Sequence, residues 1–177
     1  APSSLADAGL VAAHLGIATE PADITATVDA YLAGRPDADA LRRGNVMARV
    51  RMITLYDLSR RDGRLVLGTG NRTEWLLGYT TLHGDAACGL NPIGQLYKTE
   101  IRLLADHLGL PREVLAKRPS ADLWEGQADE DELGFSYAEA DRLLHHLVDE
   151  ALAARQLASL GFAPALVETV SARLRAM

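Results

Sequence analysis

The sequence predicts an α/β fold, a sheet with covering helices, and three observations point there. Short apolar runs with the look of strands alternate with longer stretches of helical spacing. One such run, Leu65-Val66-Leu67, passes through Gly68-Thr69-Gly70-Asn71 into a helix start near Thr73. Only two or so strands are visible beside many amphipathic helices, whereas sheets typically have about four to six strands. A sheet-forming segment is therefore expected to precede Ala1, the chain being part of a larger protein.

Taken in order, Ser4 with Asp7 reads as a helix N-terminal box, followed by Leu5, Leu10, Val11 and Leu15 and stopped at Gly16. Ile17–Thr19 is read as a short strand, and Asp23 as the cap of a helix through Ile24, Val28 and Leu32. The longest helical pattern runs from about Ala38 to Arg61. Its apolar residues (Leu41, Val46, Met47, Val50, Ile53, Leu58) fall on more than one face, which suits packing against a second subunit as well as a sheet. Asp62-Gly63 turns the chain into the Leu65 strand. Asn91-Pro92 precedes a helix through Leu96, Ile101, Leu104 and Leu108, with proline in its first turn and Gly109-Leu110-Pro111 as its stop. Pro111–Leu115 reads as a short helix. The acidic stretch Ser120–Gly134 has no periodicity, and a loop of that length in a compact domain is usually functional or mobile. Ser136 and Glu139 form a capping box for a helix to about Leu160, with Leu143, Leu147 and Leu157 inward. Pro164–Met177 is a last amphipathic helix.

Composition bounds the partners. The chain has 177 residues, 48% hydrophobic and 24% charged, with a net charge of −6. That balance argues against a general nucleic-acid binder, which is usually basic, and leaves room for a small anionic ligand held by a few cations. No run approaches the roughly 18 apolar residues of a membrane span, and no secretory signal opens the chain. The single cysteine, Cys88, excludes an internal disulfide and suits a cytoplasmic location. His145 and His146 are adjacent and cannot share a metal as an i,i+4 pair would.

The chemistry concentrates between Leu65 and Lys98. A strand that turns through glycines into a helix start leaves unpaired amides facing a crevice, which is an anion site. A plain strand-to-helix turn would use the same residues. Glu74 by itself reads as a carboxylate complementing a helix dipole, and Arg49 and Lys98 as solvated helix faces.

Five stretches decide among these readings: RGNVMARVRM (Arg43–Met52), LVLGTGNRTEWLLGY (Leu65–Tyr79), Gly84-Asp85, NPIGQLYKTE (Asn91–Glu100) and PSADLWEGQADEDELGFSY (Pro119–Tyr137). In order and spacing they resemble the ammonia-dependent NAD synthetases of the N-type ATP pyrophosphatase group. The resemblance implies a doubly wound parallel sheet, adenine nucleotide alpha hydrolase-like, and a ligase that makes NAD. ATP would activate the carboxylate of deamido-NAD as an acyl-adenylate, releasing pyrophosphate, and ammonia would displace AMP. It implies Mg2+ as cofactor, ATP as co-substrate and a homodimer. By matching position, Thr69, Lys98 and Ser120 would contact ATP, Glu74 would bind magnesium, and Arg49 would hold deamido-NAD. Asp129 and Glu130 lie in the loop that closes over the site in the family.

Departures accompany the match. The family's Ser-Gly-Gly-x-Asp-Ser phosphate loop does not occur in these 177 residues. Leu82 and Gly89 stand where family members often carry a lysine and an aspartate near the dinucleotide. The basic segment that follows the last helix in the family is not reached, so residues 1–177 are expected to form one domain incomplete at both ends. Competing readings are another ATP-pyrophosphatase amidase on the same fold and a non-catalytic paralogue lacking the phosphate loop. The glutamine-dependent enzyme would need a fused nitrilase-like domain, to which none of these stretches belongs.

Overall fold

A computed structural model describes residues 2–124 and 126–176. Ten α-helices account for most of the described chain. Three long or medium helices come first, α1 (Pro2–Leu15), α2 (Thr25–Leu32) and α3 (Ala40–Asp62). A short α4 (Arg72–Leu76) and α5 (Lys98–His107) follow the glycine turn, then the one-turn helices α6 (Arg112–Ala116) and α7 (Asp129–Leu133). The chain ends with α8 (Tyr137–Leu144), a π-helical turn over His145–Asp149, α9 (Ala154–Ser159) and α10 (Pro164–Arg175).

Local chemistry sets the boundaries. Asp39 caps α3 by accepting from the Arg42 amide at 2.7 Å, and Gly63, at φ +62°, closes it in the left-handed conformation. Ser136 caps α8 in a full capping box with Glu139.

The largest buried cluster lies mostly in the C-terminal half. Leu77, Tyr97, Leu133, Phe135, Tyr137, Ala140, Leu143, Leu144, Leu157, Phe162, Val167 and Val170 form one buried cluster around α8. Alpha-helix α3 instead buries only Gly44 and Ala48, and Leu41, Ile53, Leu55 and Tyr56 on it are exposed. This matches a helix apolar on several faces but packed on few.

Several expectations are corrected. Leu65–Leu67 is not a buried strand: Val66 is buried, but Leu65 and Leu67 are 73% and 58% exposed. Its pairing is one parallel bridge, Leu67 with Leu90, and successive side chains of an extended run point to opposite faces, so Val66 packs inward while Leu65 and Leu67 face outward. Ile17–Thr19 is not a strand either. The Ile17 amide closes α1 on the Ala12 carbonyl at 2.9 Å, the segment pairs with no other strand among the described residues, and Ile17 is exposed. A doubly wound sheet is thus absent among the described residues. Helix α1 starts at Pro2, so Ser4 lies inside it, and Ser4 and Asp7 instead accept from Lys117 Nζ at 3.2 and 2.5 Å. Asn91–Tyr97 is a turn, and the following helix opens only at Lys98. The expected Ser136–Leu160 helix breaks after Leu144. There the π turn is clamped by His145 Nδ1 on Asp149 at 3.1 Å and His146 Nδ1 on Glu150 at 2.6 Å, and Ala151 follows at φ +54°. The end of the acidic stretch is helical, because four acidic residues open α7 where the helix dipole favours them.

Candidate functional site

The site grows from the N-terminus of α4. Buried Asn71 accepts from the Glu74 amide at 2.9 Å, and Glu74 Oε2 accepts from the Asn71 amide at 3.0 Å. This reciprocal cap fixes the carboxylate and leaves Oε1 for Lys98, whose Nζ donates to it at 2.9 Å. The side chains of Lys98 and Glu74 are 22% and 17% exposed, so the pair is partly desolvated.

Lys98 is also held by its backbone. Its amide donates to Thr73 Oγ1 at 2.9 Å, and the Thr73 hydroxyl donates to Asp141 Oδ1 at 2.6 Å. Asp141 Oδ2 accepts from the Thr99 amide and hydroxyl, each at 2.8 Å. A buried carboxylate from α8 therefore sits at the N-terminus of α5, where the helix dipole favours it. Three separate elements converge on the position of one lysine.

The second wall comes from the 119–137 segment. Asp129, 3% exposed, accepts from the Tyr137 hydroxyl at 2.9 Å and the Tyr79 hydroxyl at 3.3 Å. Burial, and then the Asp129 charge, push both phenols above their usual values, so both stay protonated and donate. Lys98 Nζ stands 5.1 Å from the centre of the Tyr137 ring. The segment is tied back by the Asp129 amide on the Pro119 carbonyl at 3.0 Å and by Gln127, which bridges the Leu123 amide and Glu132. Leu123 packs against Gly44 of α3 so closely that a Cβ there would lie 2.8 Å from its Cδ1.

The third wall is α3 with the Thr80–Asp85 turn. Thr81 Oγ1 donates to Asn45 Oδ1 at 2.8 Å, and Asp85 closes the turn on Thr80 and the Thr81 amide. The three walls enclose a cleft of about 480 Å³, within the usual size of small-molecule sites.

Thr69, Glu74, Lys98, Ser120 and Asp129 all line this cleft. Arg49 and Glu130 do not. Arg49 Nε and Nη2 donate to the Leu82 carbonyl at 3.3 and 3.2 Å, and Glu130 Oε1 accepts from the Tyr137 amide at 2.9 Å. The arginine in the lining is Arg51, joined by Asn45, Tyr79, Thr81 and Trp124. The glycine turn is also less open than expected. The amides of Gly68, Asn71, Arg72 and Glu74 are taken by Leu90 O, Glu74 Oε2, Leu96 O and Asn71 Oδ1. Cation and carboxylate side chains, more than bare amides, give the cleft its polarity.

Among the described residues, no group of three or more His, Cys, Asp or Glu side chains is placed to hold a metal ion. Glu74 Oε1 could serve as a ligand, in exchange for Lys98. One carboxylate oxygen is a fit for magnesium only where phosphate oxygens and waters complete the octahedron.

A lysine set against a carboxylate, beside a glycine turn that follows a parallel bridge and opens a helix, is an arrangement common to nucleotide-binding α/β domains. Within that class, the chain belongs to the NAD synthase family, whose pattern matches residues 1–176. It is 54% identical over 167 residues to the NH(3)-dependent NAD(+) synthetase of Chlorobaculum parvum, covering 94% of this chain and 60% of that protein. It is 49% identical to the namesake of Trichlorobacter lovleyi, covering 98% of this chain and 64% of that one. The chain therefore spans under two thirds of these relatives' length. Among solved structures it resembles an NMN synthetase from Francisella tularensis (TM-score 0.85, 31% identity, 99% of this chain and 68% of that chain). It also resembles an NH3-dependent NAD synthetase from Campylobacter jejuni (TM-score 0.79, 32% identity, 98% and 66%). These likenesses place the chain in the NAD synthetase fold.

Proposed function

We propose that the protein containing these residues makes NAD by ATP-dependent amidation of deamido-NAD with ammonia, through an acyl-adenylate and with release of AMP and pyrophosphate. The observation that carries this reading is the convergence of Thr69, Glu74, Lys98, Ser120 and Asp129, from well-separated parts of the chain, on one cleft. A carboxylate is a poor acyl donor because ammonia would have to expel an oxide. Adenylation replaces that oxide with a good leaving group. Lys98 would hold the ATP phosphates, Thr69 and Ser120 would flank the nucleotide, and Glu74 would offer Oε1 to Mg2+, which neutralises phosphate charge. Arg49 would reach deamido-NAD by giving up the Leu82 carbonyl. Asp129, buried, would act by anchoring the 120–134 segment, with Glu130 bracing the start of α8.

In this reading residues 1–177 form one nucleotide-binding domain of a cytoplasmic homodimer. Its sheet is the doubly wound one, with the exposed edges at Leu65, Leu67 and Leu90 covered by further strands. The exposed Leu41, Ile53 and Tyr56 on α3 support a subunit contact. The likeness to an NMN synthetase favours one alternative, the mononucleotide acid as substrate.

The test is an NAD-forming assay on the complete protein with ATP, magnesium and deamido-NAD, comparing ammonia with glutamine and the dinucleotide with the mononucleotide acid. Ammonia-dependent NAD formation is expected. Lys98→Met should lower it on the order of a hundredfold, as loss of a transition-state charge contact does. Arg49→Ala should raise the deamido-NAD KM while ATP binding persists. Preference for the mononucleotide would reassign the substrate, and full activity in Lys98→Met would remove the cleft from the chemistry.

A further inference from the structure

Lys98 Nζ meets a carboxylate and the face of a ring. Glu74 Oε1 takes one proton at 2.9 Å, and the Tyr137 ring centre lies 5.1 Å away. Tyr137 is 1% exposed, the first residue of α8, and its hydroxyl donates to Asp129 Oδ2 at 2.9 Å. A phenol that donates to a buried carboxylate carries more electron density in its ring, which strengthens the attraction of that face for a cation. The ring is also well packed: α8 carries its backbone, and Leu133, Phe135, Leu143 and Leu144 belong to the same buried cluster.

We propose that Tyr137 is a positioning residue, whose ring face holds the Lys98 ammonium in the cleft and whose hydroxyl ties that lysine to the Asp129 segment. The assignment rests on the reading of Lys98 as the phosphate-binding cation. Its consequence concerns what happens when an anionic ligand arrives. Glu74 competes with a phosphate for Lys98, because both are anions. The Tyr137 face does not compete, since a cation can keep a ring beneath it while donating its protons elsewhere. Lys98 would then change its anionic partner without losing its place. The neutral ring would keep the ammonium within the cleft, where a lysine on a flexible four-carbon stem would otherwise spread over many rotamers.

The first test needs no substitution. The chain has two lysines, Lys98 and Lys117. In the complete protein, reductive methylation with 13C-formaldehyde keeps the charge and gives each lysine an NMR signal, with Lys98 assigned through Lys98→Arg. The Lys98 signal is expected upfield of the Lys117 signal, shifted by the Tyr137 ring current. It should stay there in Tyr137→Phe and move to the Lys117 position in Tyr137→Leu. A wild-type Lys98 signal at the position of an exposed lysine overturns the proposal, whatever the variants do.

The second readout is calorimetric binding of magnesium with a non-hydrolysable ATP analogue. Tyr137→Leu is expected to weaken it about fivefold, and Tyr137→Phe less than about twofold, because the ring remains. Equal losses in both variants would mean the hydroxyl and its segment matter and the ring does not, which overturns the proposal. A wild-type protein with the upfield signal that binds no nucleotide would strike the ATP reading of the cleft instead, leaving the ring–lysine contact established.

Discussion

Asp141 offers the sharpest probe of how the site is held. Its carboxylate is 4% exposed and accepts three hydrogen bonds, from the Thr73 hydroxyl and from the amide and hydroxyl of Thr99. Asp141→Ala leaves three donors at a buried junction, each costing about 1 kcal/mol or more, and vacates side-chain volume besides. The expected destabilisation is therefore about 3–4 kcal/mol. Asp141→Asn differs in a way the geometry specifies. Its Oδ1 can keep both Thr99 donors, while its amide nitrogen faces Thr73 Oγ1, an oxygen with a lone pair to offer. Only the charge and one hydroxyl proton lose their partner, so about 1–2 kcal/mol is expected. Urea unfolding at neutral pH measures both, as a lower midpoint with an unchanged slope. The alanine variant should also melt about 6–16 °C lower, at roughly 2–4 °C per kcal/mol for a protein of this size. Near-equal losses in the two variants would refute the account, because shape alone would then be what Asp141 supplies. A loss under about 1 kcal/mol in the alanine variant would show that water readily reaches the junction.

Two further substitutions test other joints. Burial opposes ionisation of Asp149, but hydrogen bonds from Tyr97 and His145 and the Arg72 charge outweigh it and hold its pKa below the ordinary 3.8. A depressed carboxylate contributes stability that is present above its unfolded value and lost as pH falls through the folded one. The melting temperature should thus drop more steeply below about pH 4 in the wild type than in Asp149→Asn, and parallel acid limbs would contradict this. At the glycine turn, a Cβ on Gly68 would stand 2.6 Å from Cys88 Sγ and 3.1 Å from Asn91. Gly68→Ala should cost about 1–3 kcal/mol by overpacking, and adding Cys88→Ala should recover part of it in a denaturation cycle. Strict additivity would place the crowding elsewhere.

The legible parts of the fold were those with chemical punctuation. Gly63 and Ser136 mark boundaries because each ends or satisfies a backbone ladder locally, whereas the Lys98 amide that opens α5 is held by Thr73, distant in sequence. The end of α8 has no such mark. Leu147 and Leu157 keep helical spacing, although the chain passes into a π turn at His145 and leaves it through Ala151 in the left-handed conformation. The strand at Leu65 was legible as a turn entry but not as an edge, since burial of a strand depends on neighbours far away in sequence. Arg49 and Arg51 show the same limit. Two residues apart on a helix they point about 200° from each other, and only tertiary packing shows that Arg51 lines the cleft while Arg49 holds the Leu82 carbonyl. Tyr137 was visible as the residue after a cap, with nothing local to reveal the lysine above its ring.

The Lys98–Glu74 pair turns the proposed magnesium dependence into a structural question. Its exposure lies between that of a surface pair, worth about 0–1 kcal/mol, and that of a fully buried pair, whose breaking costs about 3–5 kcal/mol. Breaking it should thus cost about 1–3 kcal/mol. A phosphate that draws Lys98 away leaves Glu74 with its Asn71 amide and an uncompensated charge facing the ligand. A divalent cation shared by Glu74 and the ligand removes that penalty, so nucleotide and metal should each bind weakly alone and strongly together. Nucleotide affinity measured with magnesium and then with EDTA should differ by about fivefold to 150-fold in the wild type, the penalty expressed as a ratio. In Glu74→Gln the ratio should shrink, because the neutral amide no longer repels the phosphate and Lys98 is no longer paired. If Glu74→Gln kept the full ratio, the metal would be held by other residues, and Glu74 would serve as the cap of α4 and the resting partner of Lys98.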